Sequence, residues 1–503
     1  MEEQNMKTIK QHIKNKTWIL GLALAFTSCG DYLDKQPSTS TNAPINEASQ
    51  LLALIDYTTN TQETSAQHIH CTDDNGQSTG LLDAYPSSYE NGYFTGFFLD
   101  GIASKATDGL WNGEYKKIYT ANTIIEAAPA MADQTTAKEA MANAYFMRAM
   151  AYFTMAQYYC RPYCEANKDE LGLPIREATD FEENLSRATL GETYEKIFDD
   201  LAKAEELTSV QNVNEELRWR VSKCAVDAFY ARLYMVTGDY QKALDHANKA
   251  LATAPGLFNY NDFKEGRPVK YAANEVLGLP EQTLYYCETN NWSGIQYLYF
   301  KEYIYTRFSY NGSQWFIPSK SLMSLYDQEN DMRFKWFFIP HSNRRFNCTY
   351  DEYRYDPLYD GRYCFSGFGT PELMLIKAEA QVRLGQWQNA LSGLDELRQN
   401  RYATGTWTPL TASSQQEALK KVLEERRREM PFAIRMMDIK RFSVNETPDD
   451  DVIIERDFYE MTLGGYEKTI KHIRVAGNDK ELALPITDVE INSSHGMIQQ
   501  NPY

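Results

Sequence analysis

The feature that most constrains the fold is a helical hairpin written twice, far apart. Between Cys224 and Pro255, the residues Ala231, Tyr234, Gly238-Asp239-Tyr240, Ala243, Ala250 and Pro255 fall at the small, aromatic, turn and stop positions of a tetratricopeptide-type hairpin. Ala231 and Ala243 let two helices approach closely, Gly238 supplies the turn and Pro255 ends the second helix. Pro371 to Tyr402 repeats the arrangement with Ala378, Gly385-Gln386-Trp387 and Ala390. Ala243 and Ala390 are 147 positions apart, so the copies are not in tandem. Periodicity predicts two further hairpins, Trp111–Ala130 with Thr136–Tyr159 and Gln415–Glu429 with Phe432–Phe442. Glu192–Leu207 is an amphipathic helix, expected to pair loosely with Val221–Val236. The expected fold is mainly α, with four such hairpins in two blocks, about residues 111–255 and 371–442.

The rest of the chain has another texture. About residues 60–110, 256–370 and 445–503 lack a sustained helical period, and the middle stretch is rich in Tyr, Asn, Gly and Pro. Loops this long in a compact protein are functional or disordered, and their aromatic content argues for order. Residues 46–503 therefore read as one body: a helical scaffold with loop-rich, aromatic-rich excursions carrying short strands.

The first residues carry an address. Lys7, Lys10, Lys14 and Lys16 precede the apolar run Trp18–Phe26, whose nine residues are too few to span a bilayer. Thr27-Ser28-Cys29-Gly30 resembles the lipobox of bacterial lipoproteins, with Phe26 where Leu is usual. That resemblance implies a signal peptide removed after residue 28, a lipidated Cys29 and a tether over residues 29–45.

A formal charge of −18 argues against a nucleic-acid partner, which needs a basic surface. Seven cysteines follow Cys29, an odd number with no CxxC; Cys160/Cys164 and Cys348/Cys364 are spaced so that they could pair, and sequence leaves this open. No nucleophile elbow, zinc-protease, P-loop or dinucleotide motif appears, so no catalytic residue, cofactor or metal is expected. His68, His70, Cys71, Asp73 and Asp74 lack an established metal spacing and read as a polar loop on a ligand face, with Asp73 and Asp74 as contact candidates.

Three aromatic clusters carry the ligand argument. They are Tyr285–Trp315, Tyr85–Phe98 and Tyr350–Tyr363. Pyranose C–H faces stack on aromatic rings while their hydroxyls need polar partners, so an aromatic in a polar loop supplies both. Trp292, in Asn290-Asn291-Trp292-Ser293-Gly294, fits that description, and Tyr297 lies beside it. Tyr303 and Tyr305 alternate as in a strand packed on the core.

Several stretches together resemble the SusD/RagB family of Bacteroidetes outer-membrane lipoproteins. They are Asp31-Tyr32-Leu33-Asp34 after the lipobox; Ala144 to Phe153 with Gly172-Leu173-Pro174-Ile175; Trp315 to Ser319 with Tyr326 and Asp331-Met332-Arg333; Glu372 to Ala380; Glu425-Arg426-Arg427-Arg428-Glu429 with Phe432, Arg435, Asp438 and Lys440-Arg441-Phe442; and Leu484-Pro485-Ile486 with Gln500 to Tyr503. Ala433-Ile434 stand where the family has Glu-Gly. Glu425 and Glu429 share a helix face, and Arg428 and Arg435 are expected to pair with such carboxylates or with Asp438. The resemblance implies a lipid-anchored, outward-facing binding protein that passes a glycan to a TonB-dependent, SusC-like transporter. It further implies ligand contacts at Trp315 and in the loop of Tyr89, Asn91 and Tyr93. Alternatives are a RagB-like peptide binder, a surface glycosidase with two carboxylates roughly 5–9.5 Å apart, and a helical protein-interaction scaffold.

Overall fold

Capping side chains mark where the helices start. The computed structural model describes residues 45–502 except 64–66, 77–78, 85–107, 181–183, 292–295, 311–315, 342, 347, 349–350, 358–361 and 463–464. After a short α1 (Ala48–Ile55), Asp108 accepts two backbone N–H groups at the start of α2 (Gly109–Ala127), and Asp133 does so for α3 (Gln134–Tyr159). Thr189 and Glu192 form a capping box on α4 (Leu190–Leu207), and Ser222 caps α5 (Lys223–Thr237). The chain reverses at Gly238, whose φ of +83° is costly for any residue with a Cβ, and Asp239 caps α6 (Tyr240–Leu251). α7 (Thr370–Arg383) turns at Gly385, φ +82°, into α8 (Trp387–Gln399). α9 (Gln415–Glu429), α10 (Arg435–Phe442) and α11 (Asp488–Ser493) follow.

The hairpins stack side by side. α1, α2 and α4 lie on α3, α5 lies on α6, α6 on α7, and α7 on both α8 and α9. The two hairpins so far apart in sequence are therefore neighbours, because one repeat cannot bury its apolar face alone. From Ala48 onward the chain forms a single unit.

Two pairings differ from expectation. α4 lies mainly on α3 and touches α5 only lightly: its apolar stripe of Tyr194, Ile197, Leu201 and Ala204 is buried there, and buried Arg148 on α3 reaches both oxygens of Asp200 at 2.7 Å. α10 packs against α5 and α3, while α9 stays on α7 and α8. The cause lies between them. Phe432 adopts φ +67° and Ala433 N–H donates to the Pro431 carbonyl at 2.9 Å, a γ-turn that sends α10 off at a sharp angle.

Strands fill the excursions. Antiparallel pairs join β2 (Leu171–Pro174) to β3 (Arg187–Thr189), β4 (Val269–Tyr271) to β5 (Gln282–Leu284), β6 (Tyr303–Tyr305) to β11 (Phe368–Gly369) and β8 (Phe338–Ile339) to β9 (Arg354–Tyr355). A three-stranded sheet sets β7 (Phe308–Tyr310) between β1 (Gln62–Glu63) and β10 (Tyr363–Phe365). The C-terminal excursion, expected to be irregular, contains a long antiparallel hairpin, β12 (Ile453–Thr462) with β13 (Gly465–Ala476). Tyr305, Phe146, Phe229 and Phe368 form the aromatic heart of the core, with Phe146 5.6 Å from Phe229 and 4.7 Å from Tyr305.

Arginine–carboxylate pairs run through this core. Arg333 reaches Asp331 and Glu425 at 2.7 Å and Glu429 at 2.8 Å. Arg401 joins Glu429 at 2.8 Å to Glu302 at 3.0 Å, and Arg428 holds Glu425 at 2.7 Å. Arg441 bridges Glu379 and Asp438 at 2.6 and 2.9 Å, with Arg426 also on Asp438. The signature Glu425-Arg426-Arg427-Arg428-Glu429 is thus structural. Burial alone would raise the Glu425 carboxyl, but the charges of Arg333 and Arg428 outweigh it and hold it far below the usual range. The same balance, with Arg441 and Arg383, brings Glu379 down to about 2.

Removing one partner strands a buried charge, so Glu425→Ala is expected to lower unfolding free energy by about 3–5 kcal/mol, far more than the exposed Lys242→Ala. Urea unfolding measures both, and a Glu425→Ala loss below that of Lys242→Ala contradicts the network's role. Carboxyls whose folded pKa is depressed stabilise the fold fully above their unfolded value of 4.5 and cease to as pH falls through the folded value. Melting temperature is therefore expected to drop between pH 4.5 and about 2, and Glu379→Gln to flatten that drop.

Candidate functional site

The turn Gln67–Cys71 and the residues up to Gly76 form a junction between the scaffold and the excursions. Asp73 accepts from Arg435 through both oxygens, at 2.8 and 3.0 Å. Fully buried Asp74 accepts from Arg427 Nε at 2.7 Å and from the backbone N–H of Phe432 at 2.8 Å, pinning the strained γ-turn. Burial disfavours a charged Asp73, but Arg435 and Arg427 outweigh it and hold its carboxyl at about 2. Arg456 of β12 donates to the carbonyls of His70 and Thr72, at 3.0 and 2.6 Å. Burial pushes the Cys71 thiol up to about 12.

The expected polar loop is therefore largely a buried hub, with Asp74 sealed and the Asp73 side chain 18% exposed. Both are committed to arginines of α9 and α10, which need carboxylates once buried. Arg435 accordingly pairs with Asp73, leaving Asp438 to Arg426 and Arg441.

The hub fixes where the excursions begin. Gly76 N–H donates to the Ile317 carbonyl at 2.9 Å, and Ser319 N–H to the Asp74 carbonyl at 2.7 Å. A Cβ on Gly76 would lie 2.3 Å from Ser319 Cα, so only glycine permits this approach. Leu81, Ile317, Phe346 and Cys348 bury one small cluster beside it. Arg344, on the same short helix as Phe346, donates to the Pro280 carbonyl and to Gln282 at 3.3 Å, tying the β4–β5 hairpin to this rim. The rings of Tyr310 and Tyr363 meet at 5.1 Å.

Most described aromatics of the Tyr285–Trp315 cluster are inside. Tyr303 stacks on Phe365 with centroids 3.7 Å apart, and with Tyr305 it lies in buried β6, as its alternation predicts. Tyr286 is buried beneath Arg354. Tyr285 is the exception: it is 58% exposed, just past the end of β5 on the rim. Trp292, Trp315, Tyr89, Asn91, Tyr93 and Cys29 lie outside the described residues, as does the side chain of Tyr297. A cavity of about 90 Å³ between Tyr260, Tyr303, Tyr355 and Glu429 has room for a few waters only.

Cys160, Cys164 and Cys364 are free thiols, so neither Cys160/Cys164 nor Cys348/Cys364 is paired. Among the described residues no His, Cys, Asp and Glu gather as a metal site, and no helix is long and apolar enough to cross a membrane.

Comparison with known proteins places this architecture. Residues 31–235 match the family described as starch-binding and associating with the outer membrane, and residues 370–503 match the SusD family. The SusD-like protein P2 of Formosa agariphila is 26% identical over 400 residues, covering 69% of this chain and 74% of that protein. A SusD superfamily crystal structure from Bacteroides thetaiotaomicron superposes with a TM-score of 0.63 at 17% identity, covering 91% of this chain and 100% of the other. A laminarin-binding SusD-like protein superposes with a TM-score of 0.57 at 16% identity, covering 91% and 99%.

The hub geometry predicts that Gly76→Ala forces residues 76 and 319 apart. Hydrogen–deuterium exchange is expected to speed up over residues 70–76 and 316–322 with little change in α5 to α8; unchanged exchange at 316–322 refutes the junction.

Proposed function

The chain belongs to the SusD/RagB family, and we propose that it is a lipid-anchored, outward-facing surface protein that binds a glycan and delivers it to a TonB-dependent, SusC-like outer-membrane transporter. The observation that carries this reading is Tyr285. In a cluster whose other described rings are buried or half-buried, it stands 58% exposed on the rim where the excursions meet. An exposed ring offers a sugar one apolar face and a hydroxyl edge. The laminarin-binding neighbour supports the ligand class.

Binding rather than cleavage is the activity proposed. The core carboxylates Glu302, Glu372, Glu379, Glu425 and Glu429 are each committed to an arginine, which leaves none of them as a general acid facing a substrate. Trp292, Trp315, Tyr89, Asn91, Tyr93 and Tyr297 remain proposed contacts alongside Tyr285, and Cys29 the proposed lipid site.

Affinity electrophoresis across laminarin, starch, xylan and mannan tests the reading. Retardation is expected on at least one of them, with Kd raised about five- to tenfold by Tyr285→Ala, the loss of one stacking contact. Binding to oligopeptides with no retardation on any glycan would overturn it.

A further inference from the structure

A second aromatic site lies on another part of the scaffold. Trp111, Tyr115 and Tyr119 recur every fourth residue on α2 and line one cavity of about 230 Å³. Trp111 and Tyr115 form its apolar floor, with centroids 5.0 Å apart. Tyr119 is 47% exposed, and Val489 and Met497, each next to a lining residue of the opposite wall, are 42% and 38% exposed. These are three of the few large apolar side chains that the described surface exposes.

The polar lining is selective. The Tyr115 hydroxyl donates to the Pro174 carbonyl, Asn122 to the carbonyls of Arg176 and Ala178, and the Arg176 guanidinium to the carbonyl of Asp180. That leaves Glu490, with Asn112 beside it, and Ser493. Glu490 is half-buried beside Asp108, and no cation pairs with it among the described residues. The carboxylate and the carboxamide accept from and donate to hydroxyls, while the guanidinium of Arg176 in the same lining is turned to the Asp180 carbonyl. The volume is below the roughly 300–1,000 Å³ of pockets for drug-sized ligands, a size for one ring.

The geometry points to a second saccharide site, in which one neutral pyranose stacks on the Tyr119 platform and hydrogen-bonds to Glu490, Asn112 and Ser493. It rests on the proposed glycan reading for its ligand class alone. Two separate sites on one molecule would hold a long polysaccharide by avidity, beyond what either site gives a short oligomer.

Hydrogen–deuterium exchange of the mature chain with laminarihexaose, maltohexaose, mannohexaose or trigalacturonate tests this. A neutral oligosaccharide is expected to slow exchange over residues 109–122 and 488–498. Tyr119→Ala should abolish that slowing, leave any slowing near residues 280–290 intact, and lower retention of the parent polysaccharide more than of the hexamer. Slowing confined to 280–290, slowing at 109–122 that survives Tyr119→Ala, or slowing there by trigalacturonate alone overturns the inference and leaves the rim reading standing. Slowing at 109–122 without any at 280–290 supports the pocket and refutes the rim. No slowing in either region with any of the four overturns both.

Discussion

The structure depends on a set of buried arginines that share carboxylates with one another. Arg333, Arg401, Arg426, Arg428 and Arg441 are nearly sealed from water, and desolvating five guanidiniums would be prohibitive if each did not find its counter-charge within 3 Å. The pairs are shared: Glu425 serves Arg333 and Arg428, Glu429 serves Arg333 and Arg401, and Asp438 serves Arg426 and Arg441. Planar bidentate geometry then does what apolar contact cannot, since it permits one orientation of α9 against its neighbours and no sliding. Glu302 extends the lattice from the helices into the excursion that carries β6, so scaffold and loops are set by the same charges.

The scaffold was legible because helices declare themselves locally. Ala231, Gly238, Ala243 and Pro255 mark a hairpin without reference to anything distant, and the structure puts its reversal at Gly238. Partner choice was less legible. α4 is amphipathic in sequence, but its preference for α3 is decided by Arg148 and Asp200, which lie 52 positions apart and advertise nothing. The β12–β13 hairpin was missed because Ile453-Ile454 opens it without the alternation that marks a half-buried strand.

Composition located tyrosine-rich excursions but not which of their rings face outward. Within one tyrosine cluster, Tyr286, Tyr303 and Tyr305 serve the core while Tyr285 faces water. Tyr285 and Tyr286 are adjacent in the irregular stretch just past β5, where no period tells which ring faces water. Asp73 and Asp74 looked like surface groups because nothing nearby in the chain neutralises them. Their arginines come from the other end of the protein.

That last separation has a kinetic side. The bonds from Asp74 to Arg427 and from Asp73 to Arg435 close loops of 353 and 362 residues, among the longest the chain can form. Contacts of such sequence separation form late, because chain entropy must be surrendered before they return anything. The helical hairpins can form as soon as they emerge, but the junction that seats the excursions must wait for residues past 435. Loop seating is thus expected late in folding, and a chain truncated before α10 would keep much of its helical stack while losing the junction on which the excursions rest.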